Sequence, residues 1–173
     1  MSKKKEIATR SPEGLVLDCS IVMAWYFVDE RSEYADEVAR RLPQQAAFVP
    51  LNWPLEVANV LLMGERRKRS TQTQAARLLK TLKGLPITLD DETNLHAWNI
   101  TLSLARAHDL TAYDAAYLEL AIRRGLPLAS LDDKLKTAAK AVGVPLYGIH
   151  LEGDGGQIHL TGHGLGREGK FCC

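Results

Sequence analysis

Leu15-Val16-Leu17-Asp18-Cys19-Ser20 decides how the rest of the chain is read. Three apolar residues in a row predict a strand buried on both faces, because a half-solvated strand would alternate apolar with polar residues. An acid ends the run at once, and the apolar stretch Ser20–Phe27 behind it predicts a short helix. Outward from here the alternation continues. Short apolar runs predict strands over Ala46–Pro50, Pro86–Leu89, Leu126–Ser130 and Val144–Tyr147. Between them, helical patterns cover Arg31–Leu42, closed by Pro43, and Trp53–Arg69, where Pro54 sits at the start and its missing N–H costs nothing. Further helices are predicted over Thr71–Lys83, Asp91–Ala107, Thr111–Arg124 and Asp132–Ala141. Strands alternating with helices predict an α/β fold with a parallel sheet covered on both faces. In such sheets ligands sit outside the carboxyl ends of the strands.

The chain has 173 residues, 46% hydrophobic and 25% charged, which excludes a disordered chain, a collagen-like chain and a disulfide scaffold. Its net charge is +1, so any nucleic-acid contact must rest on a local patch. Cys19, Cys172 and Cys173 form neither a disulfide framework nor a zinc spacing, and a reducing, cytoplasmic setting is expected. The basic N-terminus lacks the apolar core of a signal peptide, and no window is long and apolar enough to span a membrane. Residues 1–13 read as a flexible basic arm, 14–148 as one domain and 149–173 as a tail. That tail carries 7 of the 13 glycines and no apolar periodicity, which predicts disorder or weak packing. His159 and His163 lie in it without carboxylates nearby, a poor basis for a metal site.

Four acids stand where apolar runs meet helices: Asp18, Glu56, Asp114 and Asp132. Each has a plain structural reading. Thr111-x-x-Asp114 and Ser130-x-x-Asp133 fit capping boxes, Glu56 suits the first turn of a helix dipole, and Asp18 suits a turn. Together they mean more, because strand ends and helix starts share one edge of a parallel sheet. One pair of carboxylates 4 Å apart costs about 4 kcal/mol at an effective dielectric near 20. A hard divalent cation with oxygen ligands, Mg²⁺ or Mn²⁺, is the natural compensation. Such an ion activates water and stabilises displacement at phosphorus, so phosphodiester hydrolysis is the expected chemistry.

The same stations carry a family resemblance from about Leu15 to Leu146. Val16-Leu17-Asp18-Cys19-Ser20, Val49-Pro50-Leu51-Asn52-Trp53-Pro54-Leu55-Glu56-Val57, Leu110-Thr111-Ala112-Tyr113-Asp114-Ala115-Ala116-Tyr117 and Leu126-Pro127-Leu128-Ala129-Ser130-Leu131-Asp132-Asp133 follow in order. In this the chain resembles the PIN-domain ribonucleases, and among them the VapC toxins of VapBC toxin–antitoxin systems. The resemblance implies a three-layer α/β/α fold with a mostly parallel sheet of four to five short strands. It implies Asp18, Glu56, Asp114 and Asp132 as catalytic, metal-binding acids, with Ser20, Ser130 and Thr111 supporting them. It also implies Mg²⁺- or Mn²⁺-dependent endoribonuclease activity on RNA such as transfer or ribosomal RNA. The partners implied are a second copy of the chain and a VapB-like antitoxin whose C-terminal segment blocks the acidic pocket. Three features depart from the pattern. Asp133 stands where relatives often carry a basic residue, so Asp132 is read as the ligand and Asp133 as the helix cap. Asp109 stands where glycine is frequent, and the Gly-rich tail has no counterpart.

Other residues are read more plainly. Glu65-Arg66-Arg67-Lys68-Arg69 is a solvated helix end or, alternatively, a phosphate-contact patch, to which Lys3-Lys4-Lys5 could add. Trp25, Trp53 and Trp98 suit core or interface packing better than base stacking; His96 and His108 suit structural or surface roles; Cys19 suits a small buried hydrophobe. Two readings compete within PIN-like chemistry or near it. One is an inactive PIN-like scaffold that only binds RNA or a partner. The other is a phosphatase forming an aspartyl-phosphate on Asp18, which usually wants a second acid where Ser20 stands. A response-regulator receiver fits less well, lacking an acidic pair after the first strand and a lysine after the last.

Overall fold

The computed structural model describes residues 14–148. The basic arm, the Gly-rich tail and the histidine pair within it lie outside the described residues. Four parallel strands form one sheet in the order β3-β2-β1-β4, built from β1 (Gly14–Leu17), β2 (Ala46–Pro50), β3 (Ile87–Asp90) and β4 (Leu128–Ala129). The register pairs Val16 with both Phe48 and Leu128, and Pro50 with Asp90. The helices are α1 (Cys19–Tyr26), α2 (Glu33–Arg41), α3 (Trp53–Arg66), α4 (Gln72–Lys83), α5 (Thr93–His96), α6 (Leu102–His108), α7 (Ala112–Arg124) and α8 (Asp133–Ala141). They flank the sheet, giving the expected three-layer α/β/α arrangement. Every residue of β1 is buried, as its uniformly apolar sequence requires, and Leu118 and Leu120 of α7 are buried with it in one core.

The ends of the elements follow local chemistry. Ser32 and Thr71 cap α2 and α4 by accepting amide protons, and Thr71 forms a full capping box with Gln74. Gly125 ends α7 with φ +62°, a left-handed residue where a side chain would be strained. Two predicted elements come out differently. Val144–Tyr147 makes only a single bridge, Leu146 to Leu128, because Pro145 has no N–H to extend a ladder. The helix predicted over Asp91–Ala107 is interrupted by a wide π turn, Ala97–Thr101. The extra residue in that turn shifts the helical phase and turns Trp98 outward, 94% exposed, rather than into the core.

Asp90, the last residue of β3, is fully buried and is compensated by two arginines from the end of α7. Arg123 Nη2 donates to Oδ2 at 2.7 Å, and Arg124 Nη2 donates to Oδ1 at 2.8 Å. Thr93 Oγ1 donates to Oδ2, buried Glu119 accepts from Arg123 Nε, and the Arg124 guanidinium lies over the Phe48 ring. Burial acts to raise the pKa of Asp90, but the two arginines outweigh it and hold the group down at about 2. Removing one member of such a buried set strands the others, at a cost of about 3–5 kcal/mol. Asp90→Ala should therefore lower the unfolding free energy in urea by about 3 kcal/mol with an unchanged denaturant slope. A loss below about 1 kcal/mol would show that the clamp is a surface ornament.

Candidate active site

Asp18 follows β1 directly and is 5% exposed. It belongs to no helix, yet its backbone is fixed by Asp18 N donating to Ala129 O at 3.0 Å, so β4 sets its position. Two hydroxyls converge on its Oδ2: Ser20 Oγ donates at 2.5 Å and Ser130 Oγ at 2.6 Å. Each serine in turn accepts an amide proton from the segment leaving β4, Ser20 across the strands from Leu131 N and Ser130 locally from Asp132 N. The chain segments leaving β1 and β4 are thus laced together around one carboxylate. Asp132 caps α8, its Oδ1 accepting from Leu135 N at 2.7 Å. This corrects the assignment of the cap to Asp133, whose side chain points to solvent and pairs with Lys136, and of a Ser130-x-x-Asp133 box. The reason is spacing: Asp132 N already bonds the Ser130 hydroxyl, so Asp132 is left as the last extended residue before the helix.

Glu56 and Asp114 approach from two helices. Glu56 lies in the first turn of α3 and is buried; Tyr117 Oη donates to its Oε2 at 2.7 Å, and Asn52 Nδ2 donates to its Oε1. Asp114 lies in the first turn of α7, three residues before Tyr117 and so on the same face. Thr111 caps that helix by accepting from Asp114 N, and its hydroxyl donates to Asp114 Oδ2 at 2.7 Å. The structure therefore brings all four acids to one end of the sheet, with Ser20, Ser130 and Thr111 bonded directly to two of them. Tyr117 and Asn52 carry no chemistry that marks them in the sequence. Their signal is positional: one helical turn from Asp114 and four residues before Glu56.

The hydrogen bonds divide the carboxylate oxygens into two kinds. In each aspartate one oxygen is tied by the protein, namely Oδ2 of Asp18, Oδ2 of Asp114 and Oδ1 of Asp132. The second oxygen of each takes no proton from the described residues. Both oxygens of Glu56 are engaged. Among the described residues, no group of three or more His, Cys, Asp or Glu side chains is arranged to hold a metal ion together. Mg²⁺ does not ask for such a group, since it keeps several waters and is held by one or two carboxylates. Donors that are all carboxylate oxygens, taken one or two at a time, suit such a hard cation.

The electrostatics point the same way. Burial pushes Asp18 up to about 6, opposed by its two serine hydrogen bonds and reinforced by the charges of Asp114 and Asp132. Burial pushes Glu56 up to about 7, against the Tyr117 hydrogen bond and with the charges of Asp18 and Asp114. Asp114 is raised as well, first by burial and then by Asp132. In the absence of metal these groups hold protons more tightly folded than unfolded. Stability then rises as the pH falls from above 7 through about 6, and the gain is complete near the ordinary carboxylate range of about 4. Each group contributes about 1.4 kcal/mol per pH unit inside its own window. Asp90 acts in the opposite sense, but only well below that range. In EDTA the melting temperature should therefore be higher at pH 5.5 than at pH 8, and the Asp18→Asn/Glu56→Gln double variant should remove most of that difference. A wild-type profile that is flat, or that falls towards acid, would contradict the assigned shifts.

The rest of the sequence candidates separate clearly. Arg69 is bound to Asp29 and Glu30 and lies over the Phe27 ring, so this part of the basic cluster is structural. The cluster sits at the far end of α3, ten residues past Glu56, or about 15 Å along the helix. Cys19 and Trp53 are buried, as expected, and His96 lies between Glu92 and Glu119. No helix among the described residues is long and apolar enough to cross a membrane.

Comparison with known proteins agrees with this architecture. The PIN domain family profile matches residues 15–141, from β1 to the end of α8. Ribonuclease VapC3 of Pyrobaculum aerophilum is 33% identical over 132 residues, covering 76% of this chain and 98% of that protein. Ribonuclease VapC3 of Mycobacterium tuberculosis is 29% identical over 140 residues, covering 78% and 96%. The crystal structure of PAE2754 from P. aerophilum shares the fold, with a TM-score of 0.55 over 79% of this chain and 88% of that one at 21% identity. With the profile running through every strand and all four acid stations, the chain belongs to the PIN-domain family and is VapC-like within it.

Proposed function

We propose that the protein is a metal-dependent endoribonuclease that hydrolyses RNA phosphodiester bonds as the toxin of a toxin–antitoxin pair. The observation that carries the reading is the division of carboxylate oxygens at one end of the sheet: the protein holds one oxygen of each of three aspartates and, among the described residues, gives no proton to the other. Asp18, Asp114 and Asp132 would hold Mg²⁺ or Mn²⁺ through those oxygens, and Glu56 would act beside them. When bound, the ion supplies positive charge to the phosphodiester oxygens and lowers the pKa of a water.

The chain's own residues do the rest. Ser20 and Ser130 fix the Asp18 carboxylate in one rotamer, so its open oxygen is aimed before any ligand arrives. Thr111 does the same for Asp114, and the α8 amide does it for Asp132. Tyr117 and Asn52 orient Glu56, whose raised affinity for a proton suits a group that takes one from water near neutral pH. The similarity to proteins named Ribonuclease VapC3 supports RNA as the substrate class. On this reading the partners are a VapB-like antitoxin and a second copy of the chain, and the setting is the cytoplasm.

The test is cleavage of total RNA by chain purified free of any partner. Discrete fragments are expected with Mg²⁺ or Mn²⁺, none with EDTA, and a rate at least about 100-fold lower for Asp114→Asn. No cleavage by the wild type, with no metal binding, would leave a PIN-like scaffold instead. Tyr117→Phe gives a finer check: it should keep the fold and lower the rate of Mn²⁺-dependent cleavage about tenfold. An unchanged rate would remove Tyr117 from the positioning of Glu56.

A further inference from the structure

A polyanionic substrate approaching four carboxylates needs a local cation, and the obvious ones are committed elsewhere. Arg123 and Arg124 serve Asp90, and the basic cluster ends α3 on the far side. Lys134 is placed differently. It is the second residue of α8, two positions after the capping Asp132, and its side chain is 56% exposed. Its Nζ donates to Asp109 Oδ2 at 2.8 Å and approaches Asp109 O at 3.4 Å. Its charge reaches both Asp114 and Asp132.

Asp109 is an unusual partner. It ends α6 in the left-handed conformation, φ +52°, where glycine would be unstrained, and its side chain is 95% exposed. Aspartate is among the few side chains that visit this conformation, and here it brings a carboxylate beside Lys134. The pair bridges the α6–α7 corner, which leads to Thr111 and Asp114, to the start of α8, which carries Asp132. Beside it opens a groove of ≈ 280 Å³ lined by His108, Asp133, Lys134, Thr137, Ala138 and Ala141. The groove runs outward along α8 from its acid-capped end.

We propose that Lys134 is an RNA-phosphate contact at the rim of the site, parked on Asp109 in the free protein and transferred to a backbone phosphate lying along the α6–α8 groove when RNA binds. The inference rests on the ribonuclease reading. Asp109 bonds Lys134 directly, whereas Asp132 and Asp114 act on it only through their charge, so the phosphate competes chiefly with Asp109. That makes Asp109 a brake on binding, and it gives the two members of one ion pair opposite effects.

The test measures binding of a 5′-fluorescein-labelled, mixed-sequence 12-nucleotide single-stranded RNA by anisotropy in EDTA, where no metal-dependent cleavage runs. Lys134→Ala should raise Kd roughly fivefold and lower the slope of log K against log salt by about 0.7, the value for one phosphate on a single strand. Lys134→Arg should restore both. Asp109→Asn tolerates the same left-handed backbone and should lower Kd about two- to threefold. Lys134→Ala and Asp109→Asn both lose the Lys134–Asp109 bond, so each should melt slightly below the wild type. If both variants merely melt lower and bind RNA as the wild type does, the pair is only structural and the inference is overturned. A wild type that cuts RNA while the Lys134 and Asp109 variants bind normally removes this inference alone. A wild type that neither binds the probe nor cuts total RNA removes the ribonuclease reading with it.

Discussion

Two hydroxyl protons held against a single oxygen of Asp18 join the exits of β1 and β4. Ser20 and Ser130 are at once donors to that carboxylate and acceptors from the amides of Leu131 and Asp132. Neither serine can move without breaking both bonds, and neither strand can slip by one residue without carrying its serine away. The central strand pair and the acidic edge are therefore one structure. Register alone, Leu17 beside Ala129, would align the strands; the serines decide that an acid lies where they end.

This arrangement costs stability where it is built. Asp18 and Glu56 are both buried, both carry raised pKa values, and no cation among the described residues bonds to either. The compensation lies elsewhere in the same layer. A continuous core runs from Leu15, Val16 and Leu17 to Leu118, Leu120 and Leu128, and Asp90 is neutralised by two arginines at the opposite end of α7. The contrast between the two buried aspartates is instructive. Both end a strand of one sheet, yet Asp90 is given guanidinium groups and Asp18 only hydroxyls. Hydroxyls orient a charge without cancelling it, which leaves Asp18 able to attract a cation.

Much of this was legible in the sequence, for reasons that differ by element. The buried strands announce themselves because a parallel sheet permits no polar alternation, so Leu15–Leu17 and Ala46–Pro50 could be placed within one residue. Helix ends at Pro54, Thr71 and Gly125 follow from local backbone chemistry. The four acids stood out as charges at the ends of apolar runs. What the sequence did not disclose depends on three-dimensional competition. Asp132 rather than Asp133 caps α8 because Ser130 has already claimed the Asp132 amide, a bond that exists only once Ser130 also reaches Asp18. The π turn at Ala97–Thr101 leaves no compositional mark, and Tyr117 looks like any core aromatic until Glu56 is beside it.

Helix α7 is what turns these separate pieces into a single geometry. Asp114 in its first turn faces the acids, Tyr117 one turn later holds Glu56 of α3, and Arg123 and Arg124 in its last turn clamp Asp90 of β3. Asp114 and Arg124 are ten residues apart, so about 15 Å of rigid helix fixes the acidic edge relative to the far strand. A helix anchored at both ends by buried polar bonds, and packed along β1 and β2 between them, cannot rotate to relieve repulsion among the carboxylates. Relief must then come from protons or from a cation. The clamp at Asp90, remote as it is, is thereby part of what holds the acids together at one edge.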